Sequence, residues 1–261
     1  MEVHSHAHHV AHKKKWHEYI LEFAMLFLAV FLGFLAENMR EKQVEHERER
    51  EYMITMVEDL ESDIPIIDST MREWHLANMS VDSVVDAIRP SIRTTDLTKV
   101  YRHISEALNP WSFKYNDRTI TQLKNAGGFR LLRNDRVSHA IISYDQFNND
   151  ALLNIAYEHL LLYNSAMALK NKVFIQSVVN SVYARHRFNP VPVSEYHWID
   201  SLVAANKVPL KEDVQNAAMF EFKNALLAYR LDFTSSVDWG YGMLRARNLE
   251  LTALIRKEYD L

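Results

Sequence analysis

The feature that most constrains this chain is one apolar run near its N-terminus. Residues 19–36 read YILEFAMLFLAVFLGFLA, and Glu22 is the only charged residue among them. At about 1.5 Å of helical rise per residue the run covers roughly 27 Å, close to the roughly 30 Å of hydrocarbon in a bilayer. The run therefore predicts one transmembrane helix over residues 17–37, with the lipid bilayer as a partner.

Four residues are assigned to this membrane anchor: Trp16, Tyr19, Glu22 and Gly33. Trp16 and Tyr19 open the run, where amphipathic rings favour the headgroup level. Glu22 lies near that end, where a carboxylate can snorkel; pairing with a neighbouring subunit is favoured over a proton or ion role. Gly33 permits close approach of a second helix, although one glycine does not make a GxxxG pair.

A buried core helix, an interfacial helix and a cleaved signal peptide are the alternatives to a span. The run is apolar on every face, whereas an interfacial helix needs a polar stripe. Cleavage after Ala36 would place Phe34 where a signal peptidase needs a small residue. An uncleaved single-pass anchor is therefore the preferred interpretation.

Basic residues stand on both sides of the run, so their count does not decide the orientation: Lys13, Lys14 and Lys15 before it, and Arg40, Lys42, Arg48 and Arg50 after it. A short tail with a Lys triplet is hard to translocate, while a long following domain crosses largely regardless of its charge. We expect a cytoplasmic N-terminus and a periplasmic domain at a bacterial inner membrane.

The rest of the chain predicts an all-α protein. Only five glycines and six prolines interrupt 261 residues, and apolar residues recur at steps of three and four. The expected organisation is a His/Lys-rich tail (1–16), the anchor (17–37), a charged helical stalk (38–52) and a helical-bundle domain with long helices (53–261). A net charge of −4 argues against a nucleic-acid partner, and the absence of cysteine excludes disulfides and thiolate chemistry.

An apolar seam follows the stalk with alternating steps of four and three. Its members are Met53, Val57, Leu60, Ile64, Ile67, Met71 and Trp74. Such a seam is typical of coiled coils, and we predict that it packs against another copy of the chain. Oligomerisation through the seam is therefore an expectation of the sequence.

Several residues predict where helices begin and end. Pro65 predicts a kink, or a new helix beginning near Asp63. Asp96 is expected to cap a short helix that ends at Leu108. Residues 136–186 contain no glycine or proline and predict one very long helix, or two with a break at 148–150.

Residues 119–134, TITQLKNAGGFRLLRN, combine a helix end, a glycine turn and a helix start. Positive φ at Gly127 and Gly128 and a cap from Asn134 or Asp135 would make this a hairpin. A ligand-binding turn is the alternative, because two adjacent glycines expose backbone amides. The hairpin is the preferred interpretation.

No catalytic, cofactor or metal site is predicted. The tail carries histidines that could bind a transition metal, but a tail without a second shell would bind weakly: His4, His6, His8, His9, His12 and His17. HExxH, GxSxG and the Gly-rich phosphate loops are missing from the sequence. An enzyme is accordingly disfavoured.

Two stretches resemble a known family. HEYILEFAMLFLAVFLGFLAENMREK with EREYMITMVEDLESDI, and later ITQLKNAGGFRLLRND, resemble an uncharacterised family of single-span, helix-rich proteins of Bacteroidetes-type bacteria, as does the His-rich start MEVHSHAHH. The resemblance implies an N-terminal anchor, a helical domain of unknown function and a Gram-negative inner membrane. It implies no activity.

Two functions remain after this reasoning. The first is a non-enzymatic, membrane-anchored scaffold or accessory subunit of a cell-envelope complex, which self-associates and contacts other envelope membrane proteins. The second is a sensor that binds a small ligand beneath the aromatic-rich connection around Tyr196 and Trp198. A sensor would need a partner for its output, because the tail before the span is short.

Overall fold

The computed structural model describes residues 15–88, 94–108, 113–125, 127–188, 201 and 217–261. Within these residues the chain is helical and contains no strand, so the all-α prediction is confirmed. The α-helices are α1 Trp16–Ala87, α2 Thr94–Ala107, α3 Arg118–Asn125, α4 Asp135–Val173, α5 Gln176–Phe188, α6 Ala217–Ser235 and α7 Gly242–Tyr259. A 3-10 turn, Gly128–Arg130, precedes α4, and a π-helix, Ser236–Tyr241, joins α6 to α7.

The chain divides into two compact units, residues 1–51 and residues 52–261. The described part of the first unit is the beginning of α1. Its apolar stretch is exposed along its length, and α1 is long and apolar enough to cross a membrane. Trp16, Tyr19 and Glu22 are all exposed, and a Cβ at Gly33 would meet no atom within 4 Å.

At Pro65 the alternative of a new helix is wrong, and the predicted start of the second helix is wrong as well. α1 continues through Pro65, so no new helix begins at Asp63. The proline is tolerated because it lies on the exposed face, where the carbonyl that its missing N–H would have engaged, that of Glu61, can bind water. The second helix begins at Thr94, so Asp96 lies inside α2 rather than at its cap.

The second unit is built around three long helical segments: α1 from residue 52 onward, α4, and the arm made of α6, the π-helix and α7. It also contains α2, α3 and α5. Ion pairs show that the arm runs antiparallel to α1. They are Arg230–Asp82 at 2.8 Å, Arg245–Asp68 at 2.7 Å and Arg256–Glu61 at 2.5 Å. His75 lies 3.7 Å from Asp238 in the same ladder. The residues of α1 in this ladder follow one another at intervals of seven, which keeps them on one side of the helix: Glu61, Asp68, His75 and Asp82.

α4 also runs antiparallel to the arm. Tyr144 contacts Asn248 of α7, and His159, later in α4, contacts Tyr229 of α6. The helix passes residues 148–150 without a break and ends at Val173. It ends there because Phe174 turns into the core. The Phe174 ring meets Tyr101 and Phe222 edge-on, at centroid distances of 5.4 Å and 5.3 Å.

The seam predicted for oligomerisation lies inside the chain's own core. Met53, Val57, Leu60, Ile67 and Trp74 are buried at 0–6% exposure, and Ile64 and Met71 are partly buried. The seam pattern correctly indicated a face covered by helices, but the covering helices belong to the same chain. Oligomerisation through this seam stays a prediction, and it would require a second copy to open the core.

The turn predicted within residues 119–134 is present at Gly127, which has φ 64°. Gly128 does not have the positive φ that was also predicted for it; a Cβ on Gly128 would lie 2.9 Å from Leu123 Cδ2, so neither position suits a larger residue. Asn134 caps α4 by accepting hydrogen bonds from the backbone N–H groups of residues 136 and 137. Leu132 is buried beneath the turn.

Candidate functional site

A pair of buried carboxylates interrupts the apolar face of α1. Asp59 and Asp63 are four residues apart, which places both on one side of the helix, and both are almost fully buried. Asp59 accepts hydrogen bonds from the Thr119 backbone N–H at 3.0 Å and from the Asn116 side-chain amide at 2.9 Å. The oxygen that accepts from Asn116, Oδ1, also lies 2.8 Å from Arg118 Nη2. Asp59 therefore caps the N-terminus of α3 from a distant part of the chain.

Asp63 has fewer donors. Both of its carboxylate oxygens lie 3.0 Å from the backbone N–H of Asn116. Burial raises the pKa of Asp63 to about 6, the Asn116 N–H opposes that rise, and the neighbouring Asp59 charge adds to it. The carboxyl of Asp63 thus changes charge close to neutral pH.

A hydrogen-bonded group beside this pair ties the three long helices together. The side-chain amide of Asn248 donates to the Leu60 carbonyl at 2.9 Å and to the Tyr144 hydroxyl at 3.2 Å. Burial raises the pKa of Tyr144, and the charge of Asp63 raises it further. These contacts join α1, α4 and α7 at one level of the bundle.

A third buried carboxylate lies on α4. Asp145 accepts a hydrogen bond from the Tyr115 hydroxyl at 2.8 Å and pairs with Lys124 Nζ at 2.6 Å. Burial and the bond to Asp145 raise the pKa of Tyr115. Like the pair on α1, this carboxylate holds the segment that contains α3 against the long helices.

An aromatic cluster surrounds His159 at the far end of the seam. The Trp74 ring meets it edge-on at 4.8 Å, and the Tyr229 hydroxyl lies 3.3 Å from His159 Nε2. Burial lowers the pKa of His159 to about 4, so the imidazole is neutral at pH 7. A neutral ring within hydrogen-bond distance of a tyrosine is a packing arrangement.

The concave surface of interest lies between α4 and α7. It has a volume of about 660 Å³ and is called the α4–α7 groove below. It is lined by Arg136, Ala140, Ser143, Tyr144, Met243, Ala246, Arg247, Glu250, Leu251 and Leu254. Arg136 lies 3.8 Å from Glu258, and the guanidinium of Arg247 stacks 4.0 Å above the Phe147 ring.

The lining of the groove combines apolar side chains with a few charged ones. Its floor is mostly alanine, leucine and methionine, while two arginines and one glutamate give it charge of both signs. Tyr144 lines the groove and also belongs to the buried group with Asn248, so the groove touches the polar interior at one point. Within the part of the chain that the structure describes, no three His, Asp or Glu side chains converge as metal ligands.

The sequence-predicted residues fall in three places. The four anchor residues lie on the first part of α1, and the seam lies in the core of the second unit. Tyr196, Trp198 and the histidines before residue 15 lie outside the described residues. Sequence reasoning missed the acidic pair and the groove. The sequence signal for the pair was two aspartates, four residues apart, next to an apolar seam. Buried carboxylates need hydrogen-bond donors, so this spacing predicts that donors lie close to them.

Comparison with known proteins adds no family to this picture. No family model matches the chain, and no curated protein or solved structure is similar to it.

Proposed function

We propose that this chain is a non-enzymatic helical protein of the bacterial inner membrane, anchored by one span, that acts as a scaffold or accessory subunit of a cell-envelope complex. The observation that supports it best is the exposed apolar surface of α1 between residues 19 and 36. A helix that exposes apolar side chains on every face is stable in lipid and aggregates in water.

The buried titratable groups support a structural role for the helical domain. Asp59, Asp63 and Asp145 each accept hydrogen bonds from donors of the same chain, which assigns them to holding the fold. Among the described residues lining the α4–α7 groove there are two hydroxyls, Ser143 and Tyr144, and no histidine to act as their base. Binding is therefore favoured over catalysis.

The α4–α7 groove is the surface that we assign to the partner protein. Its apolar floor suits an amphipathic segment, and its arginines and glutamate can orient charged side chains at the rim.

A pull-down of the intact chain in mild detergent tests this assignment. Ala246 lines the groove and Ala253 is an exposed alanine of the same helix that does not. Ala246→Arg should lose a defined set of envelope proteins that the wild type and Ala253→Arg retain. Equal recovery with both variants would remove the groove from the proposal, and a chain recovered alone would remove the accessory-subunit function.

The expected orientation is testable because the chain has no cysteine. A single cysteine at exposed position 253 should react with a membrane-impermeant maleimide added to intact cells, whereas one at position 5 should react only after lysis. Carbonate-washed membranes should retain the wild type, and Leu28→Arg combined with Phe31→Arg should release it. Labelling of position 5 alone in intact cells would reverse the orientation.

A small-ligand sensor is the second candidate, and the size of the groove favours it. About 660 Å³ lies within the range of roughly 300–1,000 Å³ typical of small-molecule sites. A compound that raises the melting temperature of the wild type and of Ala253→Arg, but not of Ala246→Arg, would support this function. The alternative location near Tyr196 and Trp198 lies outside the described residues.

A further inference from the structure

Between residues 142 and 171 the outer face of α4 carries less charge than water-facing helices usually do. Positions separated by three or four residues lie on one side of a helix. On α4 this side is formed by Ile142, Gln146, Asn149, Asp150, Leu153, Tyr157, Leu160, Leu161, Asn164, Ala168 and Asn171. Asp150 is the one charged residue among these eleven, although exposed helix faces are usually charged or strongly polar.

The middle of this face is apolar and exposed. Leu153 is 69% exposed, Tyr157 67%, Leu160 54% and the adjacent Leu161 55%. Isolated exposed leucines are ordinary, but four large apolar side chains within nine residues make a contiguous patch. We call these four residues the α4 stripe. The opposite side of the same helix, including Ala151 and Ala166, is buried in the core.

The residues around the α4 stripe indicate which kind of partner binds to it. A lipid surface would favour Lys or Arg beside the apolar residues, yet α4 has no Lys or Arg between Arg136 and Lys170. A face with a single charge, bordered by amides, is complementary to a second copy of itself when the two helices are antiparallel, because this direction keeps the two Asp150 carboxylates apart and each amide offers both a donor and an acceptor. From these observations we propose that the α4 stripe is the contact between two copies of this chain, packed antiparallel about a two-fold axis near Tyr157.

Asp150 explains the antiparallel direction. It is the one charged residue beside the stripe with an exposed, described side chain. Parallel helices would bring the two Asp150 carboxylates together. Antiparallel helices centred on Tyr157 separate them by about 20 Å, which exceeds the Debye length of about 8 Å at physiological salt.

The size of the stripe sets the strength of the contact. Four such side chains offer on the order of 400–500 Å² per copy, so the dimer buries about 1,000 Å², at the lower limit for a specific interface. The contact is therefore weak in dilute solution and is strengthened when both copies are held in one membrane, which raises their effective concentration. In this last step the inference rests on the proposed membrane anchor.

Cysteine cross-linking of the full-length chain in membranes tests the contact, because the chain has no native cysteine. Tyr157→Cys should form a disulfide-linked dimer at least ten-fold more efficiently than Asp150→Cys and the exposed control Ala253→Cys. Adding Leu160→Glu to Tyr157→Cys should reduce the dimer to the control level while the far-UV circular dichroism stays unchanged.

Three results would overturn the proposal: equal cross-linking at positions 157 and 253, dimer that survives Leu160→Glu, or a Tyr157→Cys adduct with a different protein. Efficient cross-linking at Asp150 would overturn the antiparallel arrangement. Membrane fractionation of the same samples tests the anchor separately. If the anchor fails, sedimentation of the purified chain at high concentration still tests the stripe, with Leu160→Glu expected to be monomeric.

Discussion

Replacing Asp63 by Asn should remove a pH dependence from the free energy of unfolding. Burial raises the pKa of this carboxyl from 3.8 to about 6 in the folded chain. Between those two values the folded chain holds a proton that the unfolded chain has released, so the free energy of unfolding falls as the pH rises. The stabilisation is fully present below the unfolded pKa and is lost as the pH passes the folded one.

The size of this effect follows from the shift. Each pKa unit corresponds to about 1.4 kcal/mol, so a shift of roughly two units gives a change on the order of 3 kcal/mol between acidic and neutral pH. Three groups face Asp63 in the folded chain. The Asn116 N–H donates a hydrogen bond that lowers the pKa of Asp63, the negative charge of Asp59 raises it, and Tyr144 is neutral nearby. One backbone donor does not compensate for burial of the whole carboxylate.

Urea unfolding of the full-length chain in detergent micelles, followed by far-UV circular dichroism from about pH 4 to pH 7, measures this difference. The free energy of unfolding of Asp63→Asn minus that of the wild type should rise by about 2–3 kcal/mol over the range. Glu250→Gln, at an exposed carboxylate, is the control and should leave the pH dependence of the wild type in place. A difference for Asp63→Asn that stays constant across the range would refute the assignment of a raised pKa.

Three further changes test the packing of the second unit. Asp59→Ala leaves the buried Thr119 N–H without its acceptor and should cost about 3–4 kcal/mol in urea unfolding, with Asp59→Asn costing less; equal losses would refute the capping role. Gly240→Ala places a Cβ against Ile155 Cδ1, the flexible end of that side chain, so the melting temperature should fall by about a degree at most and Ile155→Ala should remove that loss; a fall of several degrees would refute the expectation that the Ile155 side chain can move aside. Leu60→Asp should unfold the helical domain by circular dichroism, and a folded monomer would instead favour the seam as an interface between copies.

The parts of the fold that were predictable are those set by local physics. Apolar periodicity and the scarcity of glycine predicted an all-α chain, and residues 119–134 predicted a turn that Gly127 and Asn134 make in the expected way. These signals depend on one or two turns of backbone, where φ angles and capping donors are decided locally.

The helix breaks were less predictable because tertiary contacts decide them. Pro65 does not end α1, since its exposed face leaves the freed carbonyl to water and the buried face is held by the core. α4 continues through three polar residues at 148–150 and stops at Phe174, which no local signal marks. Phe174 ends the helix because the pocket formed by Tyr101 and Phe222 accepts its ring.

The candidate site was the least predictable part, since its residues come from four segments distant in sequence. In the sequence, Asp59 and Asp63 could be recognised only as two charged residues next to an apolar seam. Nothing in the sequence indicated that Asn116 and Thr119 would donate hydrogen bonds to them. A buried carboxylate in a helix predicts that donors exist, but the chain topology decides which residues provide them.

Apolar periodicity predicts that a helix face is covered, and it does not say by what. The seam on α1 and the α4 stripe have similar spacing, yet the seam is buried by helices of its own chain and the stripe stays exposed. The residues next to the seam differ from those next to the stripe. Asp59 and Asp63 lie beside the seam and accept hydrogen bonds from donors of the same chain. The stripe is bordered by amides, and in the described part of the chain its four residues accept no such bond. Self-association of this chain is therefore to be sought on α4, where substitutions can alter the contact without opening the core.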